Sequence, residues 1–353
     1  MGQRIRKRRW LPSVLGILLL IVLWQVLANT YKEEEKELRV KLRETVKEKY
    51  PAKAAQFSES FGLFPFEAAQ ASSPGVVPHG RSIVLVHGLD DPGKVWQNLA
   101  PELANEGFDV WLMEYPNDQP IVESARLFAD ELKELRMSGI DSITLVAHSM
   151  GGLVSREVLT SPEMDYRTLV NNGLAPEVEE LIMVGTPNHG SQLARFRVFA
   201  EWRDQLARLT KGEASWQGAI LDGAGEAKID LVPGSDFLTE LNARPHPEGV
   251  DMFTLAGITS PWNENDIDGW VTDMQGKVSE EQLEIVNSVG EYMRLMTRGL
   301  GDGLVTVESA RLEGVPHRTV DGTHLSMIRN VMANSKRIPP AVPVIVDHLK
   351  GQE

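Results

Sequence analysis

From Arg81 onward, short apolar runs alternate with longer stretches whose apolar residues recur every three or four positions. The runs are Ile83–Val86, Phe108–Met113, Ile143–Ala147, Glu180–Val184, Met252–Gly257 and Arg318–Val320; the amphipathic stretches are Val95–Glu106, Ile121–Met137 and Leu153–Leu159. A strand that is apolar on both faces has to lie between two layers. The alternation therefore predicts an α/β fold, a mostly parallel central sheet with helices on both faces. This rhythm breaks between Ser191 and Val250. In that insertion Leu193, Phe196, Phe199, Trp202, Leu206 and Leu209 share one helical face, with Arg195, Arg197, Arg203 and Arg208 elsewhere around the helix. The stripe predicts an apolar helical face able to meet a bilayer; packed permanently on the domain, it would be ordinary core.

The first 80 residues follow another pattern. Arg4, Arg6, Lys7, Arg8 and Arg9 precede an apolar run from Leu11 to Ala28. As a helix the run rises roughly 27 Å, close to a hydrocarbon core of about 30 Å, so it predicts a single transmembrane anchor. Positive charge ahead of the run keeps residues 1–10 cytoplasmic and sends the main domain to the extracytoplasmic side. The alternative is a cleaved signal near Ala28 and a secreted protein. Residues 29–80 form a stalk and linker: Tyr31–Tyr50 is almost entirely Lys, Glu, Arg and Leu, a solvated charged helix, and Pro51–Gly80 packs onto the main domain at 81–353.

Composition narrows the chemistry. With 12 basic and 6 acidic residues in the first 50, residues 51–353 keep 24 of the 36 Lys and Arg against 44 of the 50 Asp and Glu, a net of −20. Such a field does not favour nucleic acid. There is no cysteine, which excludes disulfides, thiolate metal sites and a cysteine nucleophile. No Gly-rich phosphate loop and no metal-ligand spacing is present, so no cofactor and no metal is expected.

The most informative stretch is Ile143-Thr-Leu-Val-Ala-His-Ser149-Met-Gly-Gly, where a buried strand runs straight into a helix. Such an elbow lifts the Ser149 hydroxyl out of the sheet at the positive end of a helix, and small residues at 147 and 151 allow the close approach it needs. Val86-His87-Gly88-Leu89 ends the first buried strand, where the N–H of Leu89 can join that of Met150 as an oxyanion hole. His87 reads as a structural hydrogen-bonding residue and His148 as an elbow spacer. A serine hydroxyl needs a base, and the base an acid. His324, in Val320-Asp-Gly-Thr-His324, supplies the first, and Asp302, in Leu300-Gly-Asp302-Gly-Leu-Val305, the second. Asp266, Asp268 and Asp273 are rival acids, and His317 is a rival base that enters the last strand instead of leaving it.

These motifs resemble the lipase and esterase branch of the α/β-hydrolase superfamily over roughly Arg81–Asp347. Ala147–Gly152 resembles the Ala-His-Ser-Met-Gly-Gly elbow of bacterial lipases, with Ala147 in place of the usual first glycine. Val184-Gly-Thr-Pro-Asn-His-Gly-Ser191 is similar to a Gly-Thr-Pro-His-x-Gly-Ser stretch of many lipases and departs from it by carrying Asn188 before His189. Asp302–Val305 and Gly322–His324 resemble the acid and base loops of that branch. The likeness to the glycosylphosphatidylinositol inositol-deacylase group is looser. The resemblance implies an α/β-hydrolase fold with a lid insertion near 191–250, and a serine hydrolase of ester or lipid substrates using Ser149, Asp302 and His324. An acyltransferase or a phospholipid-type deacylase would use the same three residues, and a membrane-tethered scaffold of the same fold would use none. Oligomeric state has no signature in the sequence.

Overall fold

Six of the seven strands in the computed structural model coincide with the apolar runs. They are β1 (Gly62–Pro65), β2 (Ser82–Val86), β3 (Asp109–Glu114), β4 (Ser142–His148), β5 (Glu177–Val184), β6 (Asp251–Ile258) and β7 (His317–Asp321). The structure describes residues 60–66, 80–89, 93–116, 119–191, 226–259, 264–278, 282–330 and 335–351, with Thr45 and Glu48. The strands form one sheet in the order β1-β3-β2-β4-β5-β6-β7, parallel except for the β1–β3 pair. Residues 1–44, which hold the expected anchor, and the Leu193–Leu209 stripe lie outside the described residues. Among the described residues no helix is long and apolar enough to cross a membrane.

Two-residue periodicity divides the strands between two cores. Val84, Val86, Leu145, Ala147, Leu181 and Met183 face α2 (Ile121–Met137) and α3 (Met150–Thr160). Ile83, Leu85, Val146, Ile182 and Val184 face α1 (Leu99–Asn105) and α10 (Ala341–Lys350). Helix α2 shows why its residues choose this state: Ile121, Ala125, Phe128, Leu132 and Leu135 recur at helical spacing and are all buried. Each fully buried Leu, Ile or Phe of these layers contributes roughly 1.5–3 kcal/mol.

Three features differ from the sequence expectation. Gly62–Pro65 lies in the stretch read as linker, yet it pairs antiparallel with β3, and Leu63 N–H donates to Glu131 on α2 at 3.0 Å. A four-residue edge strand ending in proline carries too little alternation to be seen. The second feature is the 191–250 insertion, whose last part belongs to the body of the domain. Helices α5 (Glu226–Asp230) and α6 (Asp236–Ala243) bury Leu231, Phe237, Leu238 and Leu241 in the α2/α3 core, and Asp230 accepts from the N–H of Ile121 at 3.0 Å where α2 begins. The third is a helical hairpin between β6 and β7, α7 (Glu264–Gln275) and α8 (Leu283–Leu300), with a small core of Ile267, Val271 and Val286. Helix α8 stops at Gly301, where φ is 51° and a Cβ would run into the Val305 carbonyl, so only glycine turns the chain into the loop of Asp302.

Candidate active site

The C-terminal ends of β2, β4, β5 and β7 assemble the site. Ser149 stands between β4 and α3 with φ 54° and ψ −126°, a conformation that crowds a Cβ and is held by its surroundings. Its N–H donates to the Val184 carbonyl at 2.9 Å, and its own carbonyl accepts from Gly152 at 3.1 Å. Glycines let the neighbours close in: a Cβ on Gly88 would stand 2.7 Å from that of Ser149, and one on Gly151 would collide with the carbonyls of Val86 and His87. The loop after β2 therefore lies directly on the elbow. Among the described residues neither Leu89 N–H nor Met150 N–H has an acceptor, and the second opens α3 at the positive end of its dipole. Two free donors flanking a serine can bind a developing oxyanion.

Asp302 and His324 meet on the other side of the elbow. The Asp302 Oδ2 accepts from His324 Nδ1 at 2.7 Å, and Oδ1 accepts from the N–H groups of Leu304 and Val305 at 2.8 and 2.7 Å. Both side chains are buried. Since a carboxylate oxygen only accepts, Nδ1 carries the proton and Nε2 is left as a lone-pair acceptor. The backbone N–H of His324 donates to the Asp302 carbonyl at 2.9 Å. Gly185, next to the Val184 that anchors Ser149, is 3.2 Å at its Cβ position from both Asp302 Oδ2 and His324 Nδ1. Ser149, Asp302 and His324 thus share one neighbourhood. Ser149 Oγ makes no hydrogen bond to His324 here; in an unliganded site this bond is commonly long and closes with substrate.

The rivals are occupied elsewhere. Asp268 pairs with Arg294 at 2.5 Å and Asp273 with Lys277 at 2.6 Å on the exposed α7/α8 hairpin, where Asp266 is also exposed. His317 sits at the far end of β7 with Nδ1 2.8 Å from Thr254 Oγ1. Asn188, the departure in the Gly-Thr-Pro stretch, is a buried joint. It accepts from Arg156 at 3.0 Å, donates to the Ala310 carbonyl at 2.9 Å, and its carbonyl accepts from Asn242 at 2.8 Å. Burial pulls Arg156 down to about 10, so it stays charged at neutral pH. His189 points to solvent. A cleft of about 340 Å³ lined by Tyr166, Arg167, Arg244 and His246 lies at the opposite end of the sheet, beside the start of β5, away from Ser149.

His87 supports the loop after β2 from behind. Its Nδ1 donates to the Gly88 carbonyl at 2.8 Å, its ring stacks on Tyr115 at 4.4 Å, and Tyr115 Oη donates to the His87 carbonyl at 2.5 Å. Burial pushes this imidazole down to about 4 and raises Glu114, so the 3.5 Å approach of the two is no ion pair at neutral pH. The sign follows. Between pH 6.5 and about 4 the unfolded chain binds a proton at this histidine and the folded one does not, so stability is complete above 6.5 and is lost as pH falls. The expected loss is on the order of 3 kcal/mol. Denaturation midpoints of the wild type should fall more steeply from pH 7 to 4.5 than those of His87→Asn; parallel curves would contradict this.

All of these residues fall within 83–329, the span over which the chain matches the model of the alpha/beta hydrolase family. The chain belongs to that family. Over 125 residues, 32% of the chain, this alpha/beta hydrolase is 28% identical to triacylglycerol lipases of Pseudarthrobacter phenanthrenivorans and Burkholderia plantarii. The matched part spans about a third of the length of those relatives, 35% and 31%. Among solved structures it resembles the mature form of a Bacillus licheniformis lipase, with a TM-score of 0.50 and 23% identity over 81% of this chain and 97% of that one. The Staphylococcus hyicus lipase gives a TM-score of 0.50 at 14% identity over 79% and 98%. At these identities the likeness is one of fold.

Proposed function

We propose that this alpha/beta hydrolase is a serine carboxylic-ester hydrolase, a lipase or esterase, that works through an acyl-enzyme. Ser149 Oγ attacks the ester carbonyl while Nε2 of His324 takes its proton. The same nitrogen returns the proton to the departing alcohol, then deprotonates the water that frees the acid. Asp302 keeps the proton of the resting imidazole on Nδ1 and stabilises the imidazolium, and the N–H groups of Leu89 and Met150 hold the oxyanion. The observation that carries this reading is the buried 2.7 Å Asp302–His324 pair beside a serine on a strained strand-to-helix turn. The lipase likenesses support acyl esters as the substrate class. The purified full chain in detergent should hydrolyse para-nitrophenyl esters, its preference for short or long acyl chains separating esterase from lipase. No turnover across the series, together with no reaction with a fluorophosphonate, would overturn the proposal.

The basic residues Arg4–Arg9 ahead of Leu11–Ala28 support a single-pass anchor that places the domain outside the cytoplasm. The chain should then stay with membranes washed in alkaline carbonate and yield to detergent. Recovery in the carbonate supernatant would contradict the anchor.

A further inference from the structure

His148, the residue before Ser149, faces the base. It is buried, its Nε2 lies 3.0 Å from the backbone carbonyl of His324, and the two rings are 4.7 Å apart. A carbonyl oxygen only accepts, so Nε2 carries a proton and donates it. We propose that His148 is a positioning residue that holds the base loop to the nucleophile's own strand through this bond. The inference rests on the serine-hydrolase reading and adds a group to it.

The loop geometry gives the bond its weight. His324 follows β7 and lies outside every strand, so no ladder of the sheet fixes its carbonyl. The turn around it is tied locally, by Thr323 N–H to Ser326 Oγ at 2.8 Å and Met327 N–H to the Thr323 carbonyl at 3.0 Å. Among the described residues, three bonds reach His324 itself. Asp302 accepts from its backbone N–H and from Nδ1, and His148 donates to its carbonyl. Two of them come from the acid, and the third is the one that ties the base to β4. Because His148 is joined covalently to Ser149, this third bond sets the distance between nucleophile and base. Trp96 stands edge-on at 6.5 Å behind the His148 ring. Burial keeps His148 neutral, which suits a donor that must not place a second positive charge beside the imidazolium formed in each turnover.

The test uses the full chain in detergent. His148→Phe keeps an aromatic ring without a donor, and His148→Gln places an amide donor at a similar reach. Kinetics on a para-nitrophenyl ester, rates of fluorophosphonate labelling and melting midpoints are measured together. The phenylalanine variant should lose about 10²-fold in kcat with KM held within about twofold, and its labelling should slow in the same proportion. The glutamine variant should recover most of that loss. His148→Met, unbranched and without a donor, replaces the phenylalanine variant if that one unfolds. Wild-type labelling rates in a folded non-donor variant overturn the inference, as does a folded glutamine variant as slow as the non-donor. A wild-type chain that does not label overturns the serine reading itself, which is a different result.

Discussion

Replacing Ser149 with alanine is expected to lower kcat by about 10⁶-fold while leaving substrate binding nearly intact. The size follows from what remains at the elbow. Two described serine hydroxyls near the elbow are engaged by backbone carbonyls: Ser155 in α3 is buried and donates to Gly151 at 2.9 Å, and Ser191 donates to Leu304 at 2.6 Å. The N–H groups of Leu89 and Met150, the proposed oxyanion donors, would survive, with residual acceleration over water of about 10³- to 10⁴-fold. Stability separates this prediction from a folding defect. Alanine keeps the Cβ, and with it the strain of φ 54°, so the melting point should hardly move. Ser149→Gly removes the Cβ and should raise stability by about 1 kcal/mol, roughly 2–4 °C for a domain of this size, while being equally inactive. A serine that costs stability where glycine would not is a mark of a site kept for chemistry. Activity of the alanine variant within about tenfold of wild type on any ester would place the nucleophile elsewhere.

The second large effect is expected from Asp302→Asn, a loss of about 10⁴-fold in kcat with the fold intact. The direction can be worked out bond by bond. Oδ1 of Asp302 accepts from two backbone N–H groups, Leu304 at 2.8 Å and Val305 at 2.7 Å, in a turn that needs an acceptor there. In the variant the amide oxygen must fill that position, which turns the NH₂ toward His324 Nδ1. An NH₂ donates, so the imidazole is driven to carry its proton on Nε2, where it cannot accept one from Ser149. Asp302→Ala loses the turn as well and should be both inactive and less stable. An asparagine variant that keeps more than about a tenth of wild-type kcat would mean that His324 does not depend on Asp302 for its tautomer.

What the chain discloses in its own order depends on how local the cause is. Strands β2, β4 and β5 are legible because their residues are apolar on both faces over a short run, which only a sandwiched strand explains. Ser149 is legible because a buried strand ends on it and small residues follow at once. Asp302 and His324 are legible as loop residues in the order such a site needs, although their pairing spans 22 residues. His148 is not: its partner lies 176 residues away, and a histidine before an elbow serine carries no local signal of what it bonds. Asn188 is hidden for the same reason, since Arg156, Asn242 and Ala310 come together around it only in the fold. The α7/α8 hairpin has a local signal only in α8, where Val286, Val289, Met293, Met296 and Leu300 recur at helical spacing; its small core of Ile267, Val271 and Val286 closes only when the two helices meet. Within the insertion, Ser235 carries a local signal. It caps α6 by accepting from Leu238 N–H at 3.2 Å, and Ser-Asp ahead of an apolar run is a helix-start signature.

Whether Ser149 is the nucleophile of an acyl-transfer site is decided by which atom reacts. The full chain is treated with a fluorophosphonate, digested, and the modified peptide located by mass spectrometry. One adduct is expected, on the Ser149 side chain, absent from Ser149→Ala and strongly slowed in Asp302→Asn. An adduct on another serine, or labelling that persists in the alanine variant, would contradict it.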